Sequence, residues 1–163
     1  MADQEIRYKE TTIDRGLFTH LLFMRQSTLV FVFNEKNQIL LAMKKRGFGV
    51  GKWNGAGGKV EPGETLVAAA VREVLEETAI QLAPENLVSS ALLHFYFSDH
   101  PEWNQDVSVF LIHNYSGAFV ETDEMRPQWF SLDEIPYHDM WEDDIYWLPR
   151  VIDGEKVEFE FYF

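Results

Sequence analysis

Two apolar runs, TLVFVFN from Thr28 and QILLAM from Gln38, flank a polar turn at Glu35, Lys36 and Asn37. β-branched and aromatic residues on either side of such a turn predict a hairpin. Six of the ten glycines then crowd into residues 47–58, so residues 46–58 are predicted as a loop with unusual backbone freedom. A Pro62-Gly63 turn leads into residues 65–78. There Val67, Ala70, Val71 and Val74 recur at helical spacing behind a Thr65 N-cap, which predicts a helix. Residues 87–97 and 106–115 read as strands, the second alternating through Val107, Val109 and Leu111. A turn-rich stretch over 116–127 precedes a short strand near Trp129 and Phe130, a second helix over about 140–148 and a closing strand, VEFEFYF. Strands and two helices mix without a regular repeat. The expected class is therefore α+β: an α/β/α sandwich with a mixed β-sheet between helices. Residues 1–24 form an N-terminal extension, either a flexible arm or an added edge element, and residues 25–163 a single domain.

Composition narrows the function. Hydrophobic residues make up 46% of the 163, enough for a substantial core. The formal net charge of −13 repels polyphosphate backbones, so no nucleic-acid polymer is expected as partner, and a phosphorylated ligand needs metal help. Cysteine is absent, which removes disulfides, thiolate metal sites and cysteine nucleophiles and fits a reducing, cytoplasmic setting. The apolar stretch at residues 17–24 is interrupted by Thr19 and His20 and is too short to span a membrane; no membrane partner is expected. Asp3, Glu5, Glu10 and Asp14 are unlike an acid-poor transit peptide. The expected state is a monomer acting on a small molecule.

On a helical wheel the valines of residues 65–78 face one way, and Glu73, Glu76 and Glu77 fall within an arc of about 100° on the other side. Their i,i+3 and i,i+4 spacings each cost a few tenths of a kcal/mol in like-charge repulsion, and Arg72 offsets only part of it. Two readings stand: a solvated acidic face, or a magnesium or manganese site, since hard divalent cations take several carboxylate oxygens. Context favours metal. The helix follows a glycine-rich loop whose amides, with Lys44, Lys45 and Arg46, are expected to meet phosphate oxygens near the helix N-terminus.

The segment GKVEPGETLVAAAVREVLEETAI, residues 58–80, resembles the Nudix box: Gly58, five residues, Glu64, seven residues, Arg72-Glu73-Val74, one residue, Glu76-Glu77, then Ile80. The resemblance implies hydrolysis of nucleoside diphosphates linked to another moiety, with Mg2+ as cofactor and Mn2+ as a substitute. It extends beyond the box. LLAMKKRGFGVGKWNGAGGKV, ETDEMRPQWF and IPYHDMWEDDIYWLP are similar to the MutT-homologue subfamily that removes oxidised purine nucleoside triphosphates, 8-oxo-dGTP and 2-hydroxy-dATP among them. That likeness implies a metal set of Gly58, Glu73, Glu76, Glu77 and Glu124, and a catalytic set of Arg72, Glu76, Glu77 and Glu124. It leaves the general base open among the last three. It also implies that Asn54, Asp143 and Asp144 read the purine edge while Thr28, Lys44, Phe48, Phe95, Phe97, Trp141 and Trp147 line the pocket. Alternatives within the fold are a dinucleoside polyphosphate, a nucleotide sugar or a capped RNA end; outside enzymology, a non-catalytic nucleotide-binding module.

The residues carry part of this by themselves. Adjacent carboxylates in an aromatic setting, Asp143 and Asp144, are pushed toward a shared proton, so that one donates while the other accepts. The competing reading is an acidic first turn complementing a helix dipole. Asn54 adds an amide donor and acceptor. On a helix, Trp141 and Asp144 are i,i+3 and Asp143 and Trp147 i,i+4, so ring and acids face one cavity. Phe95, Phe97 and Trp147 equally suit core packing. The five histidines show no metal-ligand spacing and read as structural or surface residues. Two departures from the family pattern carry expectations. Ala79 stands where glycine is usual, and left-handed alanine costs about 1–2 kcal/mol, so an altered helix end is expected. The segment SDHPEWNQD, residues 98–106, is expected to reshape the pocket wall through Trp103, Asn104 and Gln105.

Overall fold

Strand β2 (Arg25–Val32) is buried from Ser27 onward on both of its faces, and that decides the layering. Leu29 and Phe31 enter one apolar cluster with Trp147, Leu148 and Val151; Val30 and Val32 enter another with Ala70, Val74, Phe110 and Ile112. A strand apolar on both sides needs cover on both sides. A computed structural model, which describes residues 6–11 and 24–163, supplies that cover with helix α1 (Leu66–Thr78) on one face and α2 (Asp144–Ile152) on the other.

The central sheet has five strands. β1 (Arg7–Glu10) pairs antiparallel with β10 (Val157–Tyr162), which runs parallel to β6 (Val88–Tyr96); β6 pairs antiparallel with β7 (Gln105–Ile112), and β7 parallel with β2. A smaller sheet sets β3 (Ile39–Lys44) between β4 (Trp53–Asn54) and β9 (Met125–Phe130). The short strands β5 (Gln81–Leu82) and β8 (Tyr115–Ser116) pair apart from both. This is the mixed α/β/α sandwich expected. Among the described residues no helix is long and apolar enough to cross a membrane.

Four expectations need correction. The hairpin has its turn, with Asn34 Oδ1 accepting from the backbone of Lys36 and Gln38 at 3.0 and 2.9 Å, but its strands part after a single Phe33–Ile39 bridge. Each run is apolar at nearly every position, and a two-stranded ribbon cannot cover both faces of both strands. Within the predicted loop, Trp53 and Asn54 form β4 because Trp53 is buried against Phe130. The second helix starts four residues later than predicted and runs through Pro149, because residues 137–139 form their own tight turn and Met140 is extended. The proline removes a bond to the carbonyl of Ile145, an exposed residue, while Trp147, Leu148 and Val151 bury the opposite side. Finally, α1 keeps a regular end: Ala79 adopts the left-handed conformation, φ 66° and ψ 6°, and donates its N–H to Leu75 O.

Residues 7–10 of the extension are an edge element of the main sheet. Arg150 holds Glu10 with two hydrogen bonds at 2.8 and 2.9 Å, and Tyr8 packs on Tyr146. Residues 12–23, with His20, lie outside the described part.

Candidate active site

The site grows from the contact between β2 and the loop after β4. Val30 and Ala56 exchange backbone hydrogen bonds at 2.7 and 3.1 Å, and Thr28 N donates to Gly58 O at 2.8 Å, so residues 56–58 run alongside β2. A Cβ on Gly57 would land on the Thr28 carbonyl, and one on Gly58 would lie 2.5 Å from Glu73 Cδ. Only glycines let the loop touch the strand on one side and the acidic helix on the other.

Arg72 organises that helix face. Its guanidinium grips Glu64 in a fork at 2.7 and 2.9 Å, reaches Glu73 at 2.7 Å and Glu76 at 3.3 Å, and donates to Lys59 O at 3.0 Å. The fork, with a further bond from Glu61 N, draws the Glu64 carboxyl down to about 2. Glu77 lies in a different setting. Burial pushes its carboxyl up to about 7, the Gly57 N–H at 3.1 Å and the Lys44 charge draw it back, and Glu73 and Glu124 push it further up. A desolvated carboxylate with one backbone donor suits a cation. Glu124 sits in the turn before β9, paired with Arg46 at 2.8 Å and drawn down by it, with both side chains about two-thirds exposed. Among the described residues, no three His, Asp or Glu side chains stand close enough together to hold one ion. The donors are hard oxygens on one helix face, and the glycine cradle at Gly58 leaves the Glu73 carboxylate against the loop; this chemistry fits magnesium or manganese.

Beside this face opens a cavity of about 610 Å³, within the usual range for small-molecule sites. Thr28, Lys44, Phe48, Asn54, Phe95, Phe97, Trp141, Asp143, Asp144 and Trp147 all line it, with Glu77 and Gly58 at the acidic end. Glu73, Glu76, Arg72 and Glu124 stay outside its wall. Asp143 accepts from Trp147 Nε1 at 3.1 Å, the i,i+4 contact the spacing predicts, and Asp144 accepts from Trp141 N at 3.1 Å. Burial pushes both carboxyls up, Asp143 to about 6 against the Trp147 bond. Asp144 is pushed further by its neighbour's charge, with the Trp141 N–H and Lys52 drawing it back. Such a pair holds a proton near neutrality and presents a donor beside an acceptor. Asn54 Oδ1 accepts from Gly55 N at 2.8 Å, which leaves its amide NH2 free to donate into the cavity.

The glycine-rich loop behaves differently from expectation. Its first half, with Gly47, Gly49 and Gly51 all at positive φ, turns against Trp141 in the cavity wall, where a Cβ on Gly49 would lie 2.9 Å from Trp141 Cζ2. Phe48, 76% exposed, stacks on Trp141 at 5.3 Å. Nor does α1 offer its N-terminus: Thr65 closes it by accepting from Ala68 N, and it is Glu77, near the other end, that reaches the cavity. In residues 98–106, Gln105 lines the cavity, Trp103 stands edge-on behind Phe97, and Asn104 accepts from Phe97 N at 2.7 Å. Sequence reasoning missed Lys52, Ser27 and Phe163 as wall residues. The signal for Lys52 is its place within LLAMKKRGFGVGKWNGAGGKV, and that for Phe163 only its alternation with Phe159 and Phe161.

The family described as NUDIX domain matches residues 24–151. An oxidized purine nucleoside triphosphate hydrolase from Danio rerio is 48% identical over 136 residues, 83% of each chain, and its Mus musculus counterpart 46% identical over 132 residues, covering 81% of this chain and 82% of that one. Among solved structures, a MutT protein from Bacillus halodurans superposes with a TM-score of 0.75 over 86% of this chain and 90% of that chain, at 23% identity, which speaks for the fold alone.

Proposed function

Because the chain belongs to the Nudix family, we propose that it hydrolyses oxidised purine (deoxy)nucleoside triphosphates, such as 8-oxo-dGTP or 2-hydroxy-dATP, to the monophosphate and pyrophosphate. One observation carries the reading: a single cavity is lined both by the adjacent Asp143 and Asp144, buried and pushed toward protonation, and by the half-buried Glu77 of the acidic helix. Oxidation of a purine rearranges donors and acceptors on its edge. A carboxylic acid beside a carboxylate, with the Asn54 amide, can match the rearranged edge, while Trp141 and Phe48 stack on the ring. The relatives' names point to the same substrate class.

Since no three of these carboxylates converge on one point, Mg2+ or Mn2+ ions would each take one or two of Glu73, Glu76, Glu77 and Glu124, with the Gly58 carbonyl. Water and substrate phosphate would fill their remaining positions, neutralising phosphate charge and making water more acidic. Arg72 keeps Glu64, Glu73 and Glu76 on one face, so their mutual repulsion does not scatter them. Glu77, with its raised pKa, is able to take up a proton near pH 7 and is one of three candidate bases with Glu76 and Glu124. Absence of cysteine suits a cytoplasmic sanitiser of the nucleotide pool.

The test is kinetic. Purified protein is incubated with dGTP, dATP, 8-oxo-dGTP and 2-hydroxy-dATP, with and without Mg2+, and products are resolved. The expected result is Mg2+-dependent pyrophosphate release, with kcat/KM favouring oxidised purines by at least about tenfold, and Glu77→Gln lowering turnover by roughly 10²-fold or more. Equal kcat/KM on all four nucleotides would overturn the substrate reading, and near-normal turnover in E77Q the assignment of the acidic helix.

A further inference from the structure

Lys52 closes the glycine-rich loop. Its backbone N–H donates to Gly49 O at 3.0 Å and its carbonyl accepts from Lys44 N at 3.1 Å, which pins the residue to both the loop and β3. Its side chain then leaves the loop: Nζ donates to Met140 O at 3.1 Å and stands over the Trp141 ring, 5.5 Å from the centroid. Phe48 stacks on that ring and Gly49 lies against its edge. Three contacts from one loop therefore converge on a single indole. Trp141 in turn is tied to Asp144 twice, by Trp141 N to Asp144 Oδ2 and by Asp144 N to Trp141 O, each at 3.1 Å.

We propose that Lys52 is a positioning residue for base recognition, tying the glycine-rich loop to residues 140–144 so that Trp141 and Asp144 meet the purine in one fixed arrangement. This deepens the function proposed above and rests on it. Residues 140–144 have no regular secondary structure before Asp144; the buried Met140 side chain fixes one end in the core, and Lys52 adds a tie from the loop at the Met140 carbonyl and the Trp141 ring. A lysine does this with one group, because its ammonium satisfies a carbonyl and the face of an indole together. It also supplies the positive charge facing Asp144. The other groups around that carboxyl are Asp143 and Glu142 on its own segment and Tyr137 on the preceding turn, none of them cationic. Without Lys52 the acid would keep its proton to higher pH.

Wild type, Lys52→Met and Lys52→Arg distinguish this from a merely structural role. Carbon-13 NMR titration of the free proteins, with Asp144 assigned through D144N, is expected to show an upward displacement of the Asp144 midpoint in K52M and a wild-type value in K52R. With 8-oxo-dGTP, K52M should raise KM roughly tenfold, as for loss of a charged hydrogen bond, and move the alkaline limb of kcat/KM to higher pH, with K52R restoring both. A folded K52M in which either the titration or KM fails to move overturns the proposal, as does a K52R no better than K52M. Wild type that leaves 8-oxo-dGTP intact would instead overturn the function it rests on, and the titration would still decide the tie between Lys52 and Asp144.

Discussion

Gly57 and Gly58 adjoin in the chain and exclude side chains for different reasons. A methyl on Gly57 meets backbone, the Thr28 carbonyl; a methyl on Gly58 meets the end of a glutamate. Backbone cannot yield, so Gly57→Ala is expected to lose about 3 kcal/mol or more, read by thermal unfolding. A carboxylate can swing aside, so Gly58→Ala should stay folded, with Tm within about 5 °C, while turnover falls at least tenfold because Glu73 is displaced. The two variants run side by side in melting and turnover assays separate fold from site; equal loss of stability would remove the distinction. The aspartates carry a second prediction at this scale. Asp144→Asn keeps shape but removes the shared proton, and should lower kcat/KM for 8-oxo-dGTP by roughly 10²-fold while leaving the Mg2+ dependence in place. It should also abolish the fall in kcat/KM at alkaline pH, where the pair loses its last proton from Asp144, which its neighbour's charge raises beyond Asp143. The contact between Asp143 and Trp147 was legible in the sequence because an i,i+4 interval is local. The sequence pairs Trp141 and Asp144 as an i,i+3 interval on a helix, but Trp141 precedes the helix and is tied instead through its backbone N–H to the Asp144 carboxylate.

At the scale of elements, α1 is capped by a residue in a conformation it dislikes. Ala79 at φ 66° donates to Leu75 O and lets the chain turn toward Ile80, which is fully buried. Burial of Ile80 and of the helix face outweighs the strain, so the end is regular where an altered one was expected. Glycine is at ease there, though it loses more backbone entropy on folding. Ala79→Gly is therefore expected to stabilise by about 0.5–1 kcal/mol and raise Tm by about 1–3 °C, checked by calorimetry. The boundaries of α2 were the hardest to read: a proline normally ends a helix, yet the apolar positions on both sides of Pro149 bury themselves against β10 and the core. Likewise the strands of the predicted hairpin are both real, but their long partners, β7 for β2 and β9 for β3, lie some 80 to 90 positions downstream.

Across the whole molecule, three strands of the main sheet meet at His94. Its Nδ1 lies 2.6 Å from Asp106 on β7 and its Nε2 2.9 Å from Glu158 on β10, and Gln26 of β2 donates to the other Asp106 oxygen. Burial pushes the imidazole down; the two carboxylates more than offset it and leave it above the ordinary 6.5. A histidine raised on folding stabilises fully below its unfolded value and loses that contribution as pH rises through the folded one. Wild-type Tm should thus decline from about pH 6.5 upward more steeply than that of His94→Gln. At pH 6 the variant should be less stable by about 2 kcal/mol, since buried Asp106 keeps only its Gln26 bond and half-buried Glu158 loses the imidazole. Melting both proteins between pH 5.5 and 8.5 checks this, and parallel curves would contradict it. The spacing of the histidines suggested nothing of the cluster, because its members are 12 and 64 residues apart and meet only across strands.

The sequence by itself determined whatever depends on neighbours within one or two turns of chain: helix α1 with its acidic face, the glycines of the loop, the class of fold, and the roster of cavity residues through their likeness to a known family. Tertiary structure alone decided which strands pair, that the first half of the glycine loop grips an indole, and that Arg72 binds three glutamates at once. It also decided which carboxyls lose enough water to hold protons near neutrality. The reason is range. Backbone preference and side-chain periodicity act over a few residues, whereas desolvation and strand pairing depend on what the rest of the chain brings within a few ångströms.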